Sequence, residues 1–123
     1  MQHMNDVDVI VLGTGAAGMA AALAAHEVGA RVALVERGDR IGGTSAISGG
    51  VIWVADNPRM RAAGMPDSRA DALAYFRSLD HGDLADETIE AFVDRGPEAL
   101  VFLESIDALK VAVLPGYPDY YLD

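Results

Sequence analysis

The sequence predicts an α/β protein that begins with a β-α-β unit. Two short apolar runs, at residues 7–12 and 31–36, are typical of buried strands. An alanine-rich stretch of helix length, residues 16–28, lies between them and ends at Gly29. Because a crossover of helix length joins strands that run in the same direction, we expect the two strands to pair in parallel.

The turn between the first strand and the helix carries glycines at a defined spacing. Gly13, Gly15 and Gly18 form the pattern G-x-G-x-x-G. In a strand–turn–helix context the first glycine permits the tight turn, the second lets a pyrophosphate approach the backbone, and the third lets the helix pack on the strand. The positive end of the helix then faces the phosphate charge. The pattern therefore predicts a Rossmann-like dinucleotide site; a glycine-rich turn that binds nothing is the alternative.

An acidic residue closes the second strand. Glu36 lies eighteen residues after Gly18, where it is placed to hydrogen-bond both ribose hydroxyls of an adenosine. A 2′-phosphate at that position would be repelled, which argues against NADP. The β-α-β unit does not distinguish NAD from FAD.

The next segment favours FAD. Residues 42–50 read GGTSAISGG, which is four glycines, two serines and one threonine in nine residues. Such a segment lets the backbone lie against a ligand and offers several hydrogen-bond donors. A flexible loop without a ligand is the alternative. Its place directly after Glu36 fits a second layer of contacts on an extended cofactor such as FAD.

The second half of the chain is expected to be mainly helical. Residues 51–53 suggest a short strand and residues 56–58 a turn. A helix is predicted over 68–79, opening with a capping-box-like Ser68 and Asp71. A second is predicted over 86–95, ended by Gly96, and a third starts at Pro97. A strand is predicted over 109–114. The residues expected to face inward are Ala72, Tyr75, Phe76, Leu79, Ile89, Phe92, Val93, Ala99, Phe102, Leu103 and Ile106.

Composition excludes several classes of function. The formal net charge of −10 argues against nucleic acid or an anionic membrane as a partner. The chain has no cysteine, which excludes thiol catalysis and cysteine-bound metals. Nine acidic residues between Asp80 and Asp107, against Arg95 alone, predict a solvated helical face rather than a metal site.

The sequence also argues against a membrane span. Residues 9–25 are uncharged, but ten of these seventeen are alanine or glycine, too weakly apolar for a transmembrane helix. The N-terminus lacks the basic flank of a signal peptide, so a cytoplasmic location is expected.

The glycine fingerprint, Glu36 and GGTSAISGG resemble the N-terminal part of the fumarate reductase/succinate dehydrogenase-type flavoproteins. The segments GGVIWVADNPRMRAAGMPDSRADALAYFRSL, AFVDRGPEALVFLES and PGYPDYY are similar to 3-ketosteroid Δ1-dehydrogenases. The resemblance implies an FAD-dependent oxidoreductase that takes a proton from C2 and a hydride from C1 of a steroid A ring. It also implies that FAD is lined by Gly13, Gly15, Ala16, Ala17, Gly18, Glu36, Arg37, Gly42, Gly43, Thr44, Ser45, Ser48, Gly49 and Gly50.

The last ten residues hold three tyrosines and two prolines. By resemblance, Tyr120 matches a catalytic-site tyrosine that reaches the steroid A ring and supports a second tyrosine acting as base. Ordinary packing is the alternative for Tyr120. Two alternatives stay open beside the steroid dehydrogenase: another FAD-dependent oxidoreductase of the fumarate-reductase type, and a non-catalytic fragment or subunit that binds a nucleotide or only a partner chain. The tail offers tyrosines and no arginine for a carboxylate substrate.

Members of the resembled family are several times longer than 123 residues. A sheet of two or three strands is also below the usual size. We therefore expect an incomplete domain, with a dinucleotide-binding part at 5–50 and a mainly helical part at 51–123. The expected partners are a steroid-like small molecule and the remainder of the enzyme or a second chain that completes the fold.

Overall fold

The computed structural model of this chain describes residues 6–65 and 67–117. The chain divides after Ile52 into two compact units, named here the first and the second unit.

The first unit contains the predicted β-α-β arrangement. Strand β1 (Val9–Leu12) is followed by helix α1 (Ala16–Glu27) and strand β2 (Val32–Val35). The strands pair in parallel, with Val9 opposite Val32 and Leu12 opposite Val35. The predictions of an α/β chain and of parallel pairing are thus confirmed, although each strand is shorter than the apolar run that indicated it.

A charged pair fixes the start of both strands. Asp8 accepts two hydrogen bonds from the Arg31 guanidinium, both at 3.1 Å, and a third from the Arg31 N–H at 2.9 Å. The Asp8 N–H in turn donates to the Arg31 carbonyl at 2.8 Å. The register of the sheet is therefore set by side chains as well as by the strand ladder.

One face of this small sheet is covered by α1 and the other is not. Val11 lies under Gly18 of α1, where a Cβ built on the glycine would be 3.5 Å from Val11 Cγ1. Ile10 and Leu12 are exposed by 50% and 80%. The prediction of fully buried strands is therefore wrong for this chain, because a parallel sheet needs cover on both faces and α1 provides only one.

The second unit is helical. After a turn at Ala55 and Asp56, helix α2 (Pro58–Ala62) begins at Asn57, whose side-chain oxygen accepts from the N–H groups of Arg59 and Met60. Helix α3 (Arg69–Leu79) begins at Ser68, whose hydroxyl accepts from the N–H of Asp71 at 3.1 Å. The helix over 68–79 and its cap are confirmed, whereas the turn predicted at 56–58 lies at 55–56, because Asn57 and Pro58 begin α2. Residues 51–53 and 109–114 contain no strand, so both strand predictions are wrong.

Helix α4 (Asp86–Ser105) runs without a break through Gly96 and Pro97. The prediction of two helices divided there is wrong. Pro97 removes one N–H from the helix ladder, which ordinarily bends or ends a helix. Gly96 instead marks a close approach, because a Cβ built on it would lie 3.3 Å from Val54 Cγ1.

The continuous helix also corrects which residues face inward. Ile89, Val93 and Leu100 of α4 are buried, at the spacing i, i+4, i+11 of one helix face. Ile89 and Val93 form one core cluster with Ala72 and Leu73 of α3, which are likewise buried. The predicted inward residues Phe92 and Ala99 are exposed, since each lies one position before a residue of the buried face, Val93 and Leu100. Phe92 still packs edge-on against Phe76, with ring centroids 5.1 Å apart.

Several of the acidic residues between Asp80 and Asp107 form ion pairs that the sequence did not predict. Arg69 of α3 donates to both carboxylate oxygens of Asp94, at 2.5 and 3.0 Å. Arg77 donates to Asp86 at 3.0 Å and to Glu90 at 3.2 Å. The predicted solvated face is therefore also the surface on which α3 and α4 are joined by ion pairs. Within residues 6–65 and 67–117 no cluster of side chains could hold a metal ion, and no helix there is long and apolar enough to cross a membrane.

The burial of Val93 can be tested against an exposed valine of the same helix. Val93 is 5% exposed and Val101 is 48% exposed. Val93→Ala should lower the free energy of unfolding by about 2 kcal/mol more than Val101→Ala, since only the former leaves a cavity. Both changes alter helix propensity equally, so the difference isolates packing. Denaturant unfolding of the two variants checks this, and equal losses would place Val93 outside the core.

Candidate functional site

The glycine turn after β1 is tight, and the structure explains two of its glycines, Gly13 and Gly18. Gly13 adopts φ of 97°, a left-handed conformation that favours glycine, and its N–H donates to the Val35 carbonyl at 2.7 Å. A Cβ built on Gly18 would lie 2.0 Å from the Gly13 carbonyl oxygen. This contact shows directly why a side chain at residue 18 is excluded: helix α1 and the turn pack backbone against backbone.

Helix α1 begins directly at this turn, and its N-cap residue has no side chain. Gly15 is the N-cap residue and provides no side-chain hydrogen bond. The Ala16 N–H donates to Ser45 Oγ at 3.1 Å. The next N–H groups, of Ala17 and Gly18, lie in the first turn, where an α-helix has no internal acceptors for them. The turn therefore presents donors and a positive helix end suited to an anion.

Glu36 is held at the end of β2 by donors from its own unit. Its Oε2 accepts from the Thr14 hydroxyl at 2.6 Å and from the Thr14 N–H at 3.1 Å. Its Oε1 accepts from the Gly38 N–H at 2.9 Å. These hydrogen bonds, the Thr14 hydroxyl first among them, lower the pKa of Glu36 from 4.5 to about 2. The carboxylate is therefore ionised and oriented beside the glycine turn.

The lowered pKa predicts how stability depends on pH. Because the pKa of Glu36 falls from 4.5 in a free chain to about 2 in the folded one, its stabilising effect is fully present above 4.5 and is lost as the pH falls toward 2. Glu36→Gln should therefore reduce the melting temperature clearly at about pH 7 and by less than half as much at about pH 3. Thermal unfolding at both pH values measures this. Glu27→Gln, at the exposed end of α1, is the control, and an undiminished Glu36 effect at low pH would contradict the prediction.

The glycine-rich segment after β2 folds back against the turn. It forms a 3-10 helix, Gly43–Ile47. The Gly42 N–H donates to the Thr14 hydroxyl at 2.8 Å. A Cβ on Gly43 would lie 3.4 Å from the Gly15 Cα. The residues predicted as a second contact layer are therefore adjacent to those predicted to meet the pyrophosphate.

The structure brings most predicted site residues together, but not all of them. Gly42, Gly43 and Ser45 contact the turn that holds Gly13, Gly15, Ala16, Ala17 and Gly18. The Ser48 hydroxyl closes the end of the 3-10 helix, donating to the Ser45 carbonyl at 2.8 Å and accepting from the Gly50 N–H at 3.2 Å. In the described part of the chain, no hydrogen bond joins Arg37, Thr44, Ser48, Gly49 or Gly50 to the turn. Tyr120 lies outside the described residues.

One residue of the site was missed by the sequence analysis. Thr14 is 3% exposed and contacts both Glu36 and Gly42. It occupies a variable position of the G-x-G-x-x-G pattern, so the pattern itself gave no signal for it. The one signal in the sequence is a hydroxyl between two glycines, which indicates a hydrogen-bonding group but no particular partner.

The site fits a dinucleotide with an adenosine diphosphate part. It combines a glycine turn that packs backbone against backbone on α1 at Gly18, a helix N-terminus with glycine as its N-cap, and an ionised carboxylate at the end of the neighbouring strand. These features together define a nucleotide-cofactor-binding protein of the α/β class.

Comparison with known proteins assigns the family. Residues 8–116 match the family described as FAD binding domain. The chain belongs to this family, and FAD as its cofactor is thereby confirmed.

The relatives agree with the resemblance found in the sequence. The chain is 39% identical over 118 residues to a 3-oxosteroid 1-dehydrogenase of Mycobacterium tuberculosis, covering 96% of this chain and 21% of that protein. It is 41% identical over 116 residues to a 4-oxocyclohexanecarboxylate 2-dehydrogenase of Sinomonas cyclohexanicum, covering 94% of this chain and 20% of that protein. The chain thus spans about a fifth of the length of these relatives.

A solved structure gives the same result for the fold. The 3-ketosteroid Δ1-dehydrogenase of Sterolibacterium denitrificans, in complex with 1,4-androstadiene-3,17-dione, matches with a TM-score of 0.74 and 37% identity. The match covers 80% of this chain and 17% of that one. The predicted similarity to 3-ketosteroid Δ1-dehydrogenases is confirmed.

Proposed function

We propose that the first unit is a Rossmann-like site for the adenosine diphosphate part of FAD. In this proposal the pyrophosphate lies against the glycine turn and the N-terminus of α1, where the Ala17 and Gly18 N–H groups lack internal acceptors. Glu36 accepts from the ribose hydroxyls. The segment 42–50 adds further donors along the cofactor. Support comes from the close backbone packing of α1 on the glycine turn at Gly18 and from the carboxylate that Thr14 and Gly38 hold beside the turn.

We further propose that the protein carrying this chain desaturates a 3-ketosteroid between C1 and C2. When bound, FAD supplies the acceptor for the hydride that leaves C1. The residues of this chain bind and orient that cofactor, and Tyr120 supports the base that takes the C2 proton. The observation that carries the proposal is the 39% identity to a 3-oxosteroid 1-dehydrogenase across 96% of the chain.

A second substrate class is favoured by one specific finding. The identity of 41% is with a 4-oxocyclohexanecarboxylate 2-dehydrogenase, whose name denotes a single ring bearing a ketone and a carboxylate. The chemistry beside the ketone is the same, so the FAD-binding residues do not separate the two. A carboxylate substrate calls for a cationic partner, and the tail from Leu114 to Asp123 contains no arginine or lysine. We therefore place the steroid first.

The exposed face of the sheet is evidence for a part of the protein, or a partner, that covers it. Ile10 and Leu12 are exposed on the side of β1 that α1 does not cover, and Val35 of β2 is exposed by 41%. Parallel sheets ordinarily have both faces covered. We propose that the remainder of the enzyme, or a second chain, covers this face and supplies the partner base.

The proposal is tested by comparing two substrates, each assayed separately with the full-length protein. The FAD-loaded protein is assayed with an artificial electron acceptor and either a 3-ketosteroid or 4-oxocyclohexanecarboxylate. We expect a higher kcat/KM with the steroid and a product double bond between C1 and C2, since the steroid offers more apolar surface for binding. Turnover of the carboxylate alone would select the second class, and turnover of neither with bound FAD would contradict both.

A further inference from the structure

Thr14 lies at the meeting point of three segments that are distant in sequence. Its hydroxyl contacts Glu36 across 22 positions and Gly42 across 28 positions. With 3% of its surface exposed, Thr14 is one of the two buried polar residues among the described ones. The other, Asn57, caps a helix of the second unit.

The Thr14 hydroxyl both donates and accepts a hydrogen bond. It donates to Glu36 Oε2 at 2.6 Å, a short hydrogen bond to an ionised acceptor, and accepts from the Gly42 N–H at 2.8 Å. A serine or threonine hydroxyl has one proton to give and can accept at the same time. Neither valine nor alanine could replace either bond. The Thr14 N–H adds a second bond to the same oxygen at 3.1 Å.

We propose that Thr14 is a positioning residue, whose hydroxyl fixes the Glu36 carboxylate and the start of the 3-10 helix against the glycine turn so that the adenosine ribose meets a preset acceptor. The inference rests on the proposed function, because it takes Glu36 as the ribose acceptor. Its physical basis is preorganisation: a carboxylate already held in place loses less conformational freedom when the ligand binds.

Charge at the site agrees with this role. The Thr14 hydroxyl is the largest cause of the lowered pKa of Glu36. The other groups that lower this pKa are backbone N–H groups of Thr14, Gly38 and Arg37, so the carboxylate is held by neutral donors. An acceptor held by neutral donors has no cationic partner to compete with the ribose for it.

The test measures ribose recognition in the full-length protein freed of flavin. Calorimetry gives the dissociation constants of ADP and of 2′,3′-dideoxy-ADP, which lacks both ribose hydroxyls. Their ratio reports the ribose contact alone, because the pyrophosphate and the base are common to both ligands. We expect wild type to bind ADP about 10-fold more tightly than the dideoxy analogue, the scale of a lost hydrogen bond to a charged group.

Four variants separate the possibilities. Glu36→Gln should bring the ratio close to one. Thr14→Val, which keeps the shape and removes the hydroxyl, should lower the ratio by at least about 3-fold. Thr14→Ser, which keeps the hydroxyl, should restore it. Thr14→Ala is measured in the same way if the valine variant does not fold.

The outcomes distinguish this inference from the proposed function. A wild-type ratio near one, or no effect of Glu36→Gln, overturns the assignment of Glu36 to the ribose. A lowered ratio in Glu36→Gln together with an unchanged ratio in Thr14→Val overturns the role of Thr14 alone. Failure of Thr14→Ser to restore the ratio reduces Thr14 to a packing residue and also overturns the inference.

Discussion

Gly18→Ala should abolish FAD binding by the protein that carries this chain. The added Cβ would lie 2.0 Å from the Gly13 carbonyl oxygen and 3.0 Å from the Gly13 carbonyl carbon. Both are backbone atoms, so no flexible side chain can move aside. Either α1 must shift away from β1 or the glycine turn must change its conformation. Each movement displaces the donors proposed to meet the pyrophosphate.

The expected loss of FAD follows from how short this contact is. Overpacking in an interior ordinarily costs about 1–3 kcal/mol, and a contact with backbone lies at or above the upper end. The flavin content of the purified protein, read from its absorbance, should therefore fall below about a tenth of wild type. Circular dichroism and gel filtration show whether the remainder of the protein stays folded.

A matched glycine variant serves as the control. Gly38 lies in the same unit outside the left-handed region, and a Cβ built on it would meet its nearest neighbour, Glu36 Oε1, at 3.6 Å, an ordinary contact. Gly38→Ala keeps the N–H that donates to Glu36, so it should retain most of its FAD. Full flavin content in Gly18→Ala would show that the turn at residue 18 is not the pyrophosphate site.

Tyr120→Phe should lower the turnover number of the full-length enzyme by about 10–1000-fold, the range of general-base effects when only a supporting group is lost. The prediction rests on the proposed role of Tyr120 beside a tyrosine base. A free tyrosine has a pKa near 10, so its anion needs support from a neighbouring donor. The KM for the steroid should stay within a few-fold, because the aromatic ring is kept.

The neighbouring tyrosines supply the controls for this experiment. Tyr117→Phe and Tyr121→Phe should cost less in turnover than Tyr120→Phe. Flavin content is measured for every variant, so that a loss of cofactor is not mistaken for a loss of catalysis. Normal turnover in Tyr120→Phe, together with loss of flavin in Tyr120→Ala, would make Tyr120 a packing residue.

The first unit was largely predictable because its signals are local. The apolar runs, the alanine-rich helix and the glycine spacing each lie within a few residues of the element they specify. Gly18 was assigned to close packing from its spacing, and the contact with Gly13 supports that assignment. The helix cap at Ser68 was predictable for the same reason, since it acts on an N–H only three residues away.

The second unit shows where local reasoning failed. Gly96 and Pro97 are each a strong signal for the end of a helix, yet α4 continues through both. Packing of one face, through Ile89, Val93 and Leu100, outweighs the propensity of two residues. Residues 109–114 have the composition of a strand but form none in the described part of the chain.

The sequence by itself thus determined the β-α-β order, the glycine turn, the acid at its edge and the family resemblance. Only the tertiary structure decided that Thr14 joins Glu36 to Gly42, and that Arg69 and Arg77 of α3 take the carboxylates of α4. The physical reason is the distance along the chain. Periodicity and propensity act over one or two turns, whereas Thr14 and Gly42 are 28 positions apart and Arg69 and Asp94 are 25 apart. Such partners become neighbours only once the backbone has folded.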